Sequence, residues 1–332
     1  MQQRGLVVMG AESALGEPVC CSHQVLRNFH NTFSIGGVSV GFNGVRESDV
    51  AMQRPLSLFR SDPAAVDIDV QVEWVDTLDS QGTKLFDSGS TWRLCQSDDG
   101  FQFDFSAPFF GPKPYKRLLL DREFRKGTLQ MNLECADHAI PGFCLSYPLD
   151  ELLIMHRLTR EKAIELHGTG IVRPNGEANL FVGHSGAGKS TTTRLWTEVE
   201  DVEVLSDDRI IVRRDEGREQ QLPRFARNDN ASGKMRMYGT PWHGEAMFAS
   251  PNSAPLTRIF VLEHGHGNVI TPLSPSQAVA ELFARSFVPF HRHEYVESAL
   301  VFLEELVDSF PVYRYSFEPD QRAVEKVRHF HD

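Results

Sequence analysis

One run of eight residues constrains this chain more than any other feature. Residues 183–190 read Gly-His-Ser-Gly-Ala-Gly-Lys-Ser and fit the spacing G-x-x-x-x-G-K-[ST] at every fixed position. Glycines at this spacing let the backbone wrap with its N–H groups pointing inward at phosphate oxygens. An apolar strand should precede such a loop, and a helix should follow it and aim its positive dipole end at the same anion. The flanking sequences, Ala178-Asn-Leu-Phe-Val182 and Thr191-Thr-Thr-Arg-Leu-Trp196, meet both requirements.

The run therefore predicts a binding site for ATP and Mg²⁺. In such a loop the lysine, here Lys189, reaches the β- and γ-phosphates, and the hydroxyl of Ser190 ligates magnesium. The predicted nucleotide-binding residues are Gly183, Ser185, Gly186, Ala187, Gly188, Lys189, Ser190 and Thr191.

A pair of carboxylates follows the next apolar segment. Ser206-Asp207-Asp208 ends the run Val202-Glu-Val-Leu205. A carboxylate at a strand end beside a phosphate loop is the expected position of a magnesium ligand or of a base. Two adjacent carboxylates can divide these tasks, one facing the metal and the other the acceptor hydroxyl. The alternative is a surface turn, because Asp-Asp commonly ends strands.

Two further features are candidates for the same site. His167 lies one strand-turn-strand unit before the phosphate loop (residues 183–190). A lone histidine beside glycine, however, is usually structural. Residues 228–245 are dense in polar, basic and glycine residues. They predict a loop that closes over phosphates or substrate, with Lys234 and Arg236 as charge stabilisers. The alternative is a solvated connector.

The sequence pattern changes near residue 146. Segments 33–42 and 66–74 alternate apolar and polar residues, and Asp98-Asp-Gly100 supplies turn chemistry. We predict a β-rich, antiparallel N-terminal domain over residues 1–145, with a role in recognition or assembly. From Pro148 onward, segments with helical spacing (residues 149–158, 277–285 and 294–309) alternate with strand-like runs, and Pro174-Asn-Gly176 predicts a turn between two such runs. This alternation predicts a mixed α/β domain over residues 146–332.

The composition of the chain limits the classes of partner that it is expected to bind. A net charge of −11 argues against broad affinity for nucleic acid or an anionic membrane. The N-terminal apolar run is too short for a signal peptide, and nowhere do about 18 apolar residues run together. The five cysteines form no C-x-x-C pair and are expected to be buried or free thiols. We predict a soluble, cytoplasmic protein.

Leu166-His-Gly168, the run 183–190 and Ser206-Asp-Asp208 together resemble the catalytic domain of HPr kinase/phosphorylase and its diverged relatives. The phosphate loop with the acidic pair is also similar to phosphoenolpyruvate carboxykinase. Gly239-Thr-Pro-Trp-His-Gly-Glu245 looks like a segment of uncharacterised HPr-kinase-related proteins. The resemblance covers roughly residues 148–315. It implies a mixed α/β P-loop kinase domain of the HPr kinase/phosphoenolpyruvate carboxykinase type, preceded by the β-rich domain.

The resemblance also implies roles for single residues. His167 matches the family's active-site histidine, and Lys189 and Ser190 match its phosphate and magnesium positions. By analogy, Asp207 is the catalytic base toward a serine hydroxyl and Asp208 is the metal-associated carboxylate. The implied activity is ATP-dependent transfer of the γ-phosphoryl group to a hydroxyl of a protein, peptide or small molecule. The family also implies a homo-oligomer.

The chain departs from the family in two places. The downstream signature loop that the bifunctional enzyme uses for phosphorolysis is not found, and the Gly-Thr-Pro-Trp loop stands in its approximate position. The first 145 residues do not resemble that enzyme's N-terminal domain. The alternatives to a kinase are a nucleotide-dependent binding or regulatory module and a simple NTPase.

Overall fold

The N-terminal sheet is built from the first strands of the chain. The computed structural model describes residues 28–79, 82–138, 140–215 and 235–331. The strands of this sheet are β1 (Phe29–Ile35), β2 (Val38–Gly44), β3 (Ile68–Val75), β4 (Thr83–Asp87), β5 (Trp92–Gln96), β6 (Gly100–Phe105), β7 (Lys116–Asp121) and β8 (Lys126–Asn132). Their spatial order is β1-β2-β3-β8-β7-β6-β5-β4. The predicted antiparallel pairing is wrong for two pairs, because β2–β3 and β3–β8 are parallel. Alternation of apolar and polar residues identifies a strand but not its neighbour.

The single strand predicted over residues 33–42 is a hairpin. Gly36 and Gly37 form its two-residue turn with φ of 58° and 76°, the left-handed conformation that a tight hairpin turn of this length requires. A Cβ on Gly36 would lie 2.6 Å from Cδ1 of Ile211, so the turn packs directly against the second sheet.

The second sheet follows residue 162. Its strands are β9 (Ala163–Val172), β10 (Ala178–Val182), β11 (Glu203–Ser206), β12 (Arg209–Arg214), β13 (Met235–Tyr238), β14 (Ser253–Pro255), β15 (Arg258–His264), β16 (Val269–Pro272) and β17 (Val312–Phe317). The order is β14-β13-β12-β9-β10-β15-β17-β16, and β11 also pairs with β9. The predicted turn at residues 174–176 is confirmed, because β9 and β10 pair as an antiparallel hairpin around it. The central strand β10 is buried along its whole length and runs parallel to β15.

Helices cover the second sheet. They are α1 (Leu149–Leu158), α2 (Lys189–Val199), α3 (Pro275–Phe283), α4 (His293–Ser309) and α5 (Gln321–Arg328), with short 3-10 helices at Glu47–Asp49, Leu56–Phe59, Pro108–Phe110 and Leu133–His138. The helices predicted over residues 149–158, 277–285 and 294–309 are confirmed to within two residues at each end. Of the helices in the described ranges, none is long and apolar enough to cross a membrane.

One hydrophobic core joins the two sheets. Phe42 of β2, Leu149 of α1 and Ile211 of β12 are fully buried members of the same cluster. A second cluster lies where α2 and α5 cover β10, β15 and β17, and it includes Trp196 and Phe260. The second cluster fixes the position of α2, and therefore of the phosphate loop that precedes it.

Candidate functional site

The run 183–190 forms the connection from β10 to α2. Gly186 and Gly188 have φ of 80° and 98°, values that only glycine adopts without strain. A Cβ on Gly188 would lie 2.4 Å from Cζ of Phe317, so side-chain space as well as backbone conformation requires glycine there. Nε2 of His264 lies 2.7 Å from the carbonyl oxygen of Gly186 and holds the tip of the loop. Strand, glycine loop and helix thus follow in the order that the motif predicts.

Lys189 begins α2 and folds back over the loop. Its ammonium donates to the carbonyl oxygens of Gly183 and His184, at 3.1 Å each. Burial lowers the pKa of Lys189 to about 8, although the negative charge of Asp208 opposes that shift. Two of the three N–H donors of the ammonium bind loop carbonyls, so the third is available to an anion inside the loop.

The side chains at the start of α2 divide into anchors and free groups. Thr193 is buried and its hydroxyl donates to the carbonyl oxygen of Lys189 at 3.0 Å. Ser185 is exposed, while Ser190 and Thr191 are half-buried. The hydroxyl of Ser190 makes no hydrogen bond within the described part of the chain. It remains available to a ligand at the positive end of the helix dipole.

Asp208 and His167 form a direct pair. Nε2 of His167 lies 2.9 Å from Oδ1 of Asp208, and Arg209 binds Oδ2 of the same carboxylate. Burial raises the pKa of Asp208, but the hydrogen bond to His167 and the charge of Arg209 outweigh it, so the pKa lies below its ordinary value. The carboxylate is ionised at neutral pH and about a quarter exposed, with 24% of its side-chain surface accessible.

Asp207 has the opposite surroundings. It has no exposed surface. Its Oδ1 accepts from the backbone N–H groups of Gly244 at 3.0 Å and Phe248 at 3.1 Å, and its Oδ2 accepts from that of Ala246 at 2.8 Å. A buried carboxylate whose two oxygens receive three amides holds a loop in place and cannot reach a substrate. This geometry does not fit the catalytic base that the sequence resemblance assigned to Asp207.

The Gly-Thr-Pro-Trp loop is anchored at several points. Thr240 donates to the carbonyl oxygen of Arg209 at 2.8 Å, and the indole of Trp242 donates to Oδ2 of Asp150 at 2.9 Å. With the three amides on Asp207, these contacts give the loop one conformation. Its described part is a fixed wall beside the acidic pair.

Of the two basic residues predicted upstream of this wall, the structure describes one. Lys234 lies outside the described residues. Arg236 is buried in β13, where its guanidinium binds the carbonyl and hydroxyl oxygens of Ser253 at 3.3 and 3.1 Å, with Asp215 at 3.9 Å. No described contact joins Arg236 to the phosphate loop or to Asp208.

Two arginines at the site were missed by sequence reasoning. Arg209 lies among three carboxylates: its Nε is 2.9 Å from Glu151 and 3.5 Å from Glu165, and its Nη1 binds Asp208. Burial and the charge of Glu151 raise the pKa of Glu165 well above its ordinary value. In the sequence, the only signal of this role for Arg209 is its position next to Asp208.

Arg285 approaches the phosphate loop from the end of α3. Its guanidinium is held by the carbonyl oxygen and the carboxylate of Glu281, at 2.8 and 2.5 Å. Its positive charge is the main cause of the lowered pKa of His184 and also lowers that of Lys189. The backbone carbonyl of Arg285 accepts the N–H of His167 at 2.7 Å. Nothing in the local sequence around Arg285 signals this position, because Arg285 lies almost 100 residues beyond the loop.

A cleft of about 400 Å³ opens beside Asp208. Its walls come from residues 53–56, from residues 142–150 and from residues 241–243, and Asp208 and Arg209 line it as well. The volume falls within the range of small-molecule sites, about 300–1,000 Å³. Asp208 thus lines the cleft and also acts electrostatically on Lys189 in the phosphate loop.

The residues fit Mg²⁺ as part of a nucleotide complex. Magnesium prefers oxygen ligands and is commonly held by one or two protein side chains together with substrate phosphates. The free hydroxyl of Ser190 and the ionised, partly exposed carboxylate of Asp208 are ligands of this kind. In the described part of the chain, no group of three or more His, Cys, Asp or Glu residues is arranged to hold a metal ion.

Comparison with known proteins assigns no family. No protein-family model matches the chain, and no curated protein matches it.

Proposed function

We propose that the protein is an ATP-dependent phosphotransferase of the P-loop kinase type that transfers the γ-phosphoryl group to a hydroxyl. The observation that carries the proposal is the position of Asp208. This carboxylate is bound to His167, its charge acts on the ammonium of Lys189, and it lines a cleft of small-molecule size. A phosphate-binding loop, a carboxylate base and an acceptor cleft therefore adjoin one another.

In this proposal the loop and Lys189 bind the phosphates of ATP. The inward N–H groups and the ammonium would stabilise the charge that spreads over the transferring group. Arg285 adds positive potential on the same side of the loop. Magnesium, when bound with the nucleotide at Ser190, would supply further neutralisation of the phosphate charge.

Asp208 acts as the base, in place of Asp207. The hydroxyl proton of the acceptor moves to the Asp208 carboxylate while the acceptor oxygen forms a bond to the γ-phosphorus. The bond from that phosphorus to the β–γ bridging oxygen breaks, and ADP leaves with the electron pair. His167 and Arg209 orient the carboxylate by binding one oxygen each, and each oxygen keeps a second lone pair that can take the proton of the acceptor.

The test is a transfer assay with γ-labelled ATP and Mg²⁺, using wild type, Lys189→Ala and Asp208→Asn. Cell extract and small hydroxylated molecules serve as acceptors. Label moving to a discrete acceptor with wild type alone, while Asp208→Asn still binds ATP, supports the proposal. Tight ATP binding with no transfer to any acceptor would favour the nucleotide-switched binding module. Phosphate release that needs no acceptor would favour simple hydrolysis.

A further inference from the structure

The cleft beside Asp208 is lined by charged residues of both signs. Two of its four charged lining residues are acidic. Asp208 is the proposed base, and Asp150 is 5% exposed and bound to the indole of Trp242. The other two are arginines, Arg54 and Arg209. Whether the mouth of the cleft offers a cation to a ligand therefore depends on whether these two arginines are already paired.

Arg209 is fully committed to carboxylates. Its guanidinium binds Glu151, Glu165 and Asp208, and its planar face lies 4.1 Å from the ring centroid of Phe287. Moving it to a ligand would leave Glu151 and Glu165 without their shared cation. Arg209 therefore positions Asp208 and is not available to a substrate.

Arg54 is exposed at the edge of the cleft. It makes no hydrogen bond and no ion pair with any residue that the structure describes. The chain as a whole carries a net charge of −11. A guanidinium without a described partner, at the rim of a cleft that contains the proposed base, is a recognition group for an anion. Its planar fork matches a carboxylate.

The remaining polar side chains around the mouth add no carboxylate. Gln53, Tyr147 and His243 line the cleft and offer an amide, a phenol and an imidazole. These groups can hydrogen-bond a polar ligand, and none of them adds a carboxylate that would repel an anion bound at Arg54. The cleft therefore suits a small polar anion better than a cation or an apolar molecule.

We propose that the acceptor is a small hydroxylated carboxylate, bound through its carboxylate to Arg54 with its hydroxyl facing Asp208. The inference rests on the proposed phosphotransferase function and names the substrate class of that site. A serine on the surface of a folded protein is the competing acceptor. It has no carboxylate beside its hydroxyl, because both of its backbone ends are in peptide bonds.

The test compares pairs of acceptors in which a neutral group replaces the carboxylate. N-acetyl-L-serine is compared with N-acetyl-L-serinamide, and D-glycerate with glycerol, in the γ-labelled ATP assay. With wild type, we expect the catalytic efficiency for each carboxylate to exceed that for its neutral partner by about tenfold or more, the usual size of a charge-assisted contact. Arg54→Gln should remove this gap through KM and leave ATP affinity unchanged. Arg54→Lys should keep part of the gap.

The matched control is Arg60→Gln, which removes another exposed arginine a few residues along the chain and outside the cleft. It should keep the full gap. Equal use of charged and neutral acceptors, or a gap that survives Arg54→Gln, would overturn the inference. Lys189-dependent labelling of a protein, without transfer to or saturable binding of either carboxylate, would overturn it and leave the kinase standing. If wild type shows no Lys189-dependent turnover of ATP at all, the proposed function fails and the inference falls with it.

Discussion

Asp207 and Asp208 are neighbours in sequence but have different physical surroundings. The side chain of Asp207 faces inward and receives three backbone N–H groups from residues 244–248. The side chain of Asp208 faces the cleft and meets His167 and Arg209. One carboxylate therefore stabilises the wall of the site, and the other is free to take part in chemistry.

Substituting each aspartate by asparagine separates these two tasks. Asp207→Asn places an NH₂ group against at least one backbone donor, so we expect a loss of roughly 2–3 kcal/mol in the free energy of unfolding. Asp208→Asn should lower the midpoint of urea unfolding less than Asp207→Asn does, because Asp208 is partly exposed, and should reduce transfer by at least about 100-fold, the usual contribution of a general base. Urea unfolding and the transfer assay on both variants measure the two effects. A stable Asp207→Asn protein without activity would restore the base role to Asp207.

Lys189 predicts how nucleotide binding depends on pH. Its pKa of about 8 lies well below that of a free lysine, so the nucleotide-free protein loses this charge as the pH rises through that value. A bound phosphate favours the ammonium and raises its pKa, so binding above pH 8 must take up a proton. We expect ATP affinity to fall by up to about tenfold per pH unit above that point.

Calorimetry in buffers of different ionisation enthalpy would detect this proton uptake directly. Lys189→Ala is the control, because it should bind ATP weakly at every pH and take up no proton at this position. Wild-type affinity that stays constant from pH 7 to pH 10 would contradict a lowered pKa at Lys189.

At the scale of the element, the start of α2 depends on Gly188. This residue ends the phosphate loop with φ of 98° and touches the ring of Phe317. Gly176, in the β9–β10 turn, has a similar φ of 87° but nothing within 4 Å of the position of a Cβ. Substitutions at the two glycines therefore distinguish the free-energy cost of a left-handed backbone conformation from that of a steric clash with Phe317.

We expect Gly176→Ala to lower the free energy of unfolding by about 1–2 kcal/mol, the cost of the left-handed conformation alone. Gly188→Ala should cost more than this and should also abolish measurable ATP binding, because the loop must shift to free the ring of Phe317. Thermal unfolding and ATP titration of both variants would test the difference. Equal destabilisation with ATP binding intact in both would show that the contact with Phe317 does not constrain the loop.

The features that could be predicted from the sequence are those that a few neighbouring residues determine. Features that depend on residues far apart along the chain could not be predicted. The phosphate loop, α1 and the β9–β10 turn were predicted because their geometry is set within a few neighbouring residues. The different surroundings of Asp207 and Asp208 were not, since the amides on Asp207 come from residues about 40 positions away. The parallel pairing of β3 with β8 and the convergence of Arg54 with Asp208 likewise depend on long-range packing.

At the scale of the whole molecule, the two sheets form one packed unit. The guanidinium of Arg213 on β12 donates to the carbonyl oxygen of Gly36 in the β1–β2 turn at 3.0 Å. Ile211 fills the space that a side chain at Gly36 would need. Buried residues of both sheets belong to one core cluster. Unfolding either sheet alone would expose the core-facing surface of the other, so the sheets should unfold together.

The four tryptophans allow this to be measured, because Trp74 and Trp92 lie in the first sheet while Trp196 and Trp242 lie in the second half of the chain. One variant carries phenylalanine at the first two positions, and another at the last two. In each, we expect the fluorescence midpoint in urea to coincide with the midpoint from circular dichroism. ATP at about 100 times its dissociation constant should stabilise both by about 2.7 kcal/mol, and Lys189→Ala should remove that shift. ATP stabilisation of the second-half reporter alone would mean that the sheets unfold independently. The first sheet would then contribute to the acceptor cleft without sharing the stability of the nucleotide site.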